Sequence, residues 1–169
     1  MRFGRVCGAA MLALGACHVH ADQPRQYFGI FGSDAQFVPD KGPKQDAGNL
    51  GGKLGFDFNK FVAVEGHAGL TLNDSHLSSP EVTYLAGFVR ANLPLERINI
   101  YGLLGVGFVD ANFAQVKGDF TDLAVGAGIE FYGTENTALG IEYLQYGLDD
   151  KYKTVGLGIV HHFNWPKLR

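Results

Sequence analysis

Two groups of residues in this sequence have the types that chemistry needs, and they sit in different contexts. The first crowds one short segment: Asp74, Ser75, His76, Ser78, Ser79 and Glu81. A hydroxyl beside an imidazole and a carboxylate is the set that nucleophilic acyl chemistry uses. No Gly-x-Ser-x-Gly elbow accompanies it, and Ser, Asn, Asp and Pro are what solvated turns favour in any protein. The segment therefore reads as a loop, and no catalytic residue is expected. His161 and His162 are adjacent; neighbours on a strand point to opposite faces and cannot chelate one ion together. Neither a metal nor a cofactor is expected. The two cysteines, Cys7 and Cys17, both fall in the first 21 residues.

The second group is dispersed along the chain: Lys53, Asp57, Glu65, His67, Arg90, Glu130 and Glu142. Its logic appears only with the surrounding residues. In NLGGKLGFDFN (49–59), Leu50, Gly52, Leu54, Phe56 and Phe58 share one face, and Gly51, Lys53, Gly55 and Asp57 the other. Residues 62–72 repeat this, with Val62, Val64, Gly66, Ala68, Leu70 and Leu72 against Ala63, Glu65, His67, Gly69 and Thr71. Period-two alternation marks strands with two unlike faces. A hairpin with Asn59-Lys60-Phe61 as its loop sets Phe58 opposite Val62, Gly55 opposite Glu65 and Lys53 opposite His67. A two-residue loop would set Asp57 against Val62 and break the match of faces.

The same pattern predicts strands over 27–37, 82–93, 98–109, 123–132, 137–146 and 152–163, eight in all. Connections at 59–61, 94–97 and 133–136 are short, whereas 38–48, 73–80 and 110–120 are longer and polar; the last, 147–151, is short again. An even number of strands with this alternation suits an all-β, eight-stranded antiparallel up-and-down transmembrane β-barrel, whose closure leaves no unpaired edge for lipid to meet. A Lys or Arg on the lipid face at mid-membrane costs ~2–4 kcal/mol, so the charged faces are assigned to the lumen. Leu123, Val125, Ala127, Ile129 and Phe131 then face out with Glu130 in; Leu139, Ile141 and Tyr143 face out with Glu142 in; Leu85, Gly87, Val89 and Ala91 face out with Arg90 in. By the same rule Asp34 sets the parity of the first strand and turns Phe28 and Ile30 inward. Strand 98–109 carries no charge, and its orientation stays open. A lumen of eight strands is just filled by side chains. The seven dispersed residues are thus expected to form a polar network that plugs it, with Glu65 paired to Arg90 or Lys53.

The first 21 residues are set apart from the fold. Arg2 and Arg5 precede an apolar run, VCGAAMLALGA, and Val19-His20-Ala21 supplies small residues for cleavage. That is the layout of a secretory signal peptide, and the run is well short of the ~20 residues a spanning helix needs. Leu14-Gly15-Ala16-Cys17 offers a second cut, with lipidation at Cys17. Cleavage after Ala21 leaves a domain of residues 22–169 without cysteine, so disulfide and thiolate chemistry are excluded. Loss of Arg2 and Arg5 turns the formal charge of −3 into −5, a balance that disfavours nucleic acid as a partner. Mean hydropathy is +0.01 and decides nothing, but 24 glycines exceed the ~7% of average usage and fit closely approaching strands.

These residues resemble the outer-membrane β-barrel family that includes the barrel domain of OmpA and the stand-alone barrels of the OmpX and NspA type. The resemblance rests on GGKLGFDFNKFVAVEGHAGL, INIYGLLGVGF, AVGAGIEFYGTENTALGIEYLQY and TVGLGIVHHF, and covers residues 26–163. It implies the outer membrane of a Gram-negative cell, contact with outer-membrane lipid and lipopolysaccharide, and insertion by the barrel-assembly machinery. In the family that machinery reads a final-strand Phe; here Phe163 is followed by NWPKLR. It also implies a monomeric, non-enzymatic envelope component or a scaffold for host or surface ligands bound through loops. The wall-binding domain of OmpA is not expected in residues 22–169. Two other activities occur in such barrels: a narrow pore gated by exchange of ion-pair partners, and lipid modification. For the latter, the His-x-Ser-Asn motif of lipid A deacylases is absent. A soluble ligand-binding barrel would turn its oily face inward and bury the charges without a polar lumen. Tyr101, Phe131, Tyr132, Tyr143 and Trp165 lie near strand ends, where lipid-facing aromatic residues form interfacial girdles.

Overall fold

The computed structural model describes residues 25–37, 45–71, 81–112, 117–147 and 152–164. Eight strands run in chain order: β1 (Arg25–Phe37), β2 (Gln45–Asp57), β3 (Val62–Thr71), β4 (Glu81–Pro94), β5 (Ile98–Asn112), β6 (Lys117–Tyr132), β7 (Thr137–Tyr146) and β8 (Tyr152–Asn164). Each pairs antiparallel with the next, and β8 closes on β1. Alternation produces this directly. Leu54, Leu85, Leu104, Ile141 and Ile159 are exposed on the outer wall, while their chain neighbours point into the lumen.

Short turns set the register at one end. In the β2–β3 turn the Asn59 side-chain oxygen accepts from Phe61 N at 2.8 Å and Val62 N at 3.0 Å. This closes the three-residue loop that brings Gly55 opposite Glu65 and Lys53 opposite His67. Thr134 Oγ1 does the same for Thr137 N at 3.0 Å before β7. At the opposite end Gly147 leaves β7 with φ at 80°, a conformation that glycine adopts without the Cβ clash of other residues. Its N–H donates to Leu123 O at 2.9 Å.

The orientation expected for β1 is overturned. Tyr27, Gly29, Phe31 and Ala35 face the lumen, and Phe28, Ile30 and Asp34 face out. Two large apolar side chains at membrane depth outweigh one carboxylate near the strand's loop end, where the cost of a lipid-side charge fades toward zero. The open orientation of β5 is resolved as well: Asn99, Tyr101, Leu103, Gly107 and Val109 point inward, and Ile100, Leu104, Val106 and Phe108 outward. Pairing also reaches past the expected strand ends, from Gln45 in β2 and through Asp110↔Asp119 and Asn112↔Lys117 in β5 and β6. Backbone ladders continue above the membrane, where lipid no longer imposes alternation.

Glycines make room for aromatic rings inside this narrow cylinder. A Cβ on Gly55 would collide with the Tyr27 ring, on Gly51 or Gly69 with Tyr84, on Gly128 with Tyr101 and on Gly107 with Tyr146. The leader, the Asp74–Ser79 group, most of the longer connections and Trp165 lie outside the described residues.

Candidate functional site

The lumen near the short-turn end holds an ionic core. Arg90, on β4, uses its two terminal nitrogens separately: one donates to Glu65 Oε1 and the other to Glu130 Oε2, both at 2.7 Å. Its Nε donates to Asn92 Oδ1 at 2.6 Å. The guanidinium carbon lies over the Tyr101 ring, 3.7 Å from its centre, a close cation–π contact. Lys53 Nζ, on β2, is 2.9 Å from Glu142 Oε2 and 3.7 Å from both Glu65 and Glu130. The Tyr101 hydroxyl donates to Glu142 at 2.7 Å. His67 Nε2 meets Glu65 Oε2 at 2.7 Å, with Nδ1 3.6 Å from Glu142. Three carboxylates thus face Lys53 and Arg90, with the His67 imidazole between two of them. The five charged side chains, His67 and Tyr101 are almost fully buried, and a buried charge left unpaired would shift or unfold the site.

A second polar chain leads from this core to the mouth. Asn99 donates to Asn92 at 2.9 Å, Tyr132 to Glu130 at 3.2 Å, and the Tyr132 hydroxyl contacts His162 Nε2 at 3.0 Å. Asp57 sits at the rim, 3.6 Å from His162 Nδ1. A cavity of about 620 Å³ opens here, its floor formed by Arg90, Asn92, Asn99, Tyr132 and His162.

Toward the long-loop end the chemistry changes. Above Phe31, Phe88, Leu103 and Leu144, the rings of Tyr84, Tyr146 and Tyr152 meet with centroids 5.5–6.2 Å apart. Val82, Val109, Ala124 and Ala35 surround them. The Asn49 side chain donates to the Tyr152 hydroxyl, and the buried Tyr146 hydroxyl has no partner among the described residues.

All seven residues singled out from the sequence lie on the lumen side, and six of them converge within the core and its immediate neighbours; Asp57 stays at the mouth. Tyr101, Tyr27, Asn92, Asn99, Tyr132 and His162 complete the network and were not singled out for it. Tyr101 is 2% exposed and belongs to the core, not to a girdle, whereas Phe131 and Tyr143 do face outward. His161 and His162 point to opposite faces: His161 Nδ1 contacts Thr137 Oγ1 at 2.9 Å, and its ring packs on Phe163. Glu65, His67 and Glu142 could hold a metal ion by proximity, their ligand atoms lying within 4.8 Å of one another. Lys53 already occupies the position such a cation would take, so a metal would first have to displace an ammonium ion.

Comparisons with known proteins place this barrel. The family described as outer membrane protein beta-barrel domain matches residues 7–163. No curated protein matches the chain in sequence. Among solved structures, Ail, the attachment invasion locus protein of Yersinia pestis, is similar at 25% identity and a TM-score of 0.63, over 83% of this chain and 99% of that one. Ail was solved with the heparin analogue sucrose octasulfate. The N-terminal barrel of Pseudomonas aeruginosa OprF is 19% identical, with a TM-score of 0.60 over 83% of this chain and all of the other. Neisserial surface protein A is 12% identical, with the same TM-score over 82% and 97%; these last two show the fold alone. The chain therefore belongs to the outer membrane protein β-barrel family and is a protein of the Gram-negative outer membrane.

Proposed function

We propose that this protein is a non-enzymatic envelope component: a closed, monomeric barrel that anchors in outer-membrane lipid and lipopolysaccharide and holds its long connections outward as a surface-interaction scaffold. The observation that supports this reading is the filling of the lumen by the described residues, where Arg90 and Lys53 pair with the three glutamates and the rings of Tyr84, Tyr146 and Tyr152 pack together. In this reading the leader is removed after Ala21, and the assembly machinery reads the Phe163 end of β8. Short turns face the periplasm in such barrels, which puts the ionic core on the periplasmic side.

The partner class follows from charge. The segments 34–46, 74–81, 110–122 and 149–153 together carry ten acidic and five basic residues. A polyanion like the one bound by Ail would meet net repulsion, so a neutral or basic surface ligand suits this chain better. The test pairs a deletion strain with its complemented parent. Loss of the protein should raise sensitivity to detergent and large hydrophobic antibiotics while lipid A mass spectra stay unchanged. A shift in lipid A mass on expression would instead establish an enzyme.

The second reading is a narrow gated pore, favoured by the cavity at the mouth, whose lining includes Arg90. Planar-bilayer recording separates the two: the scaffold is silent, and a gate changes conductance in a Glu65→Ala variant.

A further inference from the structure

We infer that the lumen is closed twice in series, by the ionic core near the periplasmic mouth and independently by the layer of Tyr84, Tyr146 and Tyr152 toward the loops. This inference rests on the closed-scaffold reading and specifies what keeps the barrel shut.

The two closures lie at different heights on shared strands. On β4, Arg90 belongs to the core and Tyr84 to the ring layer, six residues apart along the strand. On β7, Glu142 and Tyr146 are four residues apart. A strand rises about 3.3 Å per residue, so the Cα positions of these pairs lie roughly 13–20 Å apart along the strands, while the Tyr84 ring leans back over Gly69 and Gly51, two residues from His67 and Lys53. The ion pairs of the core join Lys53, His67, Arg90 and the three glutamates and use none of the three rings. The chemistry of the layers is also different. An ion crossing the lower layer can exchange partners with Glu65, Glu130, Glu142, Lys53 and Arg90 and keep its charge solvated. In the upper layer it meets three rings packed against Val82, Val109, Leu144 and Ala124, with the Tyr152 hydroxyl already bonded to Asn49. Hydrophobic constrictions of this kind block ions by excluding water. Glycine supports the layer physically: Gly51, Gly69 and Gly107 leave the recesses into which Tyr84 and Tyr146 fit, so the rings are seated in the wall and do not hang free in the lumen.

The experiment uses the refolded full barrel in planar bilayers, with folding of each variant checked by heat-modifiable migration on gels. Four proteins are compared: wild type, Lys53→Ala with Glu142→Ala, Tyr84→Ala with Tyr146→Ala, and all four substitutions together. Series closure predicts that the first three are silent and that the fourth conducts in discrete steps at least tenfold above background. Should the fourth fail to fold, Tyr146→Ala alone in the Lys53→Ala, Glu142→Ala background is the milder form, with the same expectation. Conductance from the charge variant equal to that of the combined variant overturns the inference and leaves the scaffold reading standing. Silence of a folded combined variant overturns it too. Conductance of the wild type overturns the scaffold reading itself.

Discussion

The two halves of the lumen solve one packing problem with opposite chemistry. Eight strands leave a cylinder that side chains must fill. Near the short turns it is filled by Arg90, Lys53, three glutamates and Tyr101; near the long loops, by tyrosines over glycines with an aliphatic surround. The ionic half is directional, because each glutamate accepts from an assigned donor and removing a donor leaves its carboxylate short of a partner. The aromatic half is graded, because ring contacts can shift and partly refill. The difference predicts that single substitutions are far costlier below than above.

Arg90→Leu is the largest expected effect. It removes one donor from each of Glu65 and Glu130 and leaves two buried carboxylates short of a partner, a loss of about 3–5 kcal/mol, visible in urea unfolding of the barrel in lipid vesicles. Arg90→Lys should recover only part of it, since one ammonium cannot serve two carboxylates and the Tyr101 face at once. A cost below about 1 kcal/mol for Arg90→Leu, the range of surface ion pairs, would show that the core does not hold the barrel together.

Gly69→Ala probes the other half and ranks second. Its new methyl meets the Tyr84 ring, and overpacking of this kind costs about 1–3 kcal/mol. The same unfolding measurement, repeated with Tyr84→Ala added, separates the causes. Relief of the clash makes the pair cost less than the sum of the singles, whereas strict additivity would mean that Gly69 is needed for something other than the ring.

Much of this contrast was legible in the sequence, and the gaps have physical reasons. Lipid dictates alternation, so Lys53, Glu65, Arg90, Glu130 and Glu142 could be assigned to one face from their neighbours alone. β1 was misread because one carboxylate was given more weight than Phe28 and Ile30, although its position near the strand end makes it cheap. β5 lacked a charge, yet its orientation was available from the turn: with Arg90 inward, the observed pairing Arg90↔Leu103 and Pro94↔Asn99 puts odd residues inside. That step would have placed Asn99 and Tyr101 beside Glu130 and Glu142. The tyrosine layer was harder to see, because Tyr84, Tyr146 and Tyr152 meet only once the register of non-adjacent strands is known.

The last comparison uses the same change in both halves, and its upper member has the smallest expected effect. Tyr101→Phe deletes a hydroxyl that donates to Glu142 at 2.7 Å and accepts from Lys53 at 3.1 Å. Hydrogen bonds to charged groups are worth about 1.5–3 kcal/mol, so the variant should unfold at measurably lower urea. Tyr146→Phe deletes a buried hydroxyl that no described residue satisfies. Burying such a group costs free energy that the phenyl ring does not incur, so this variant should be as stable as the wild type or slightly more so. Equal losses from the two substitutions would mean that the upper hydroxyls are bonded as fully as the lower ones, and that the lumen is one continuous polar plug with no second, apolar closure.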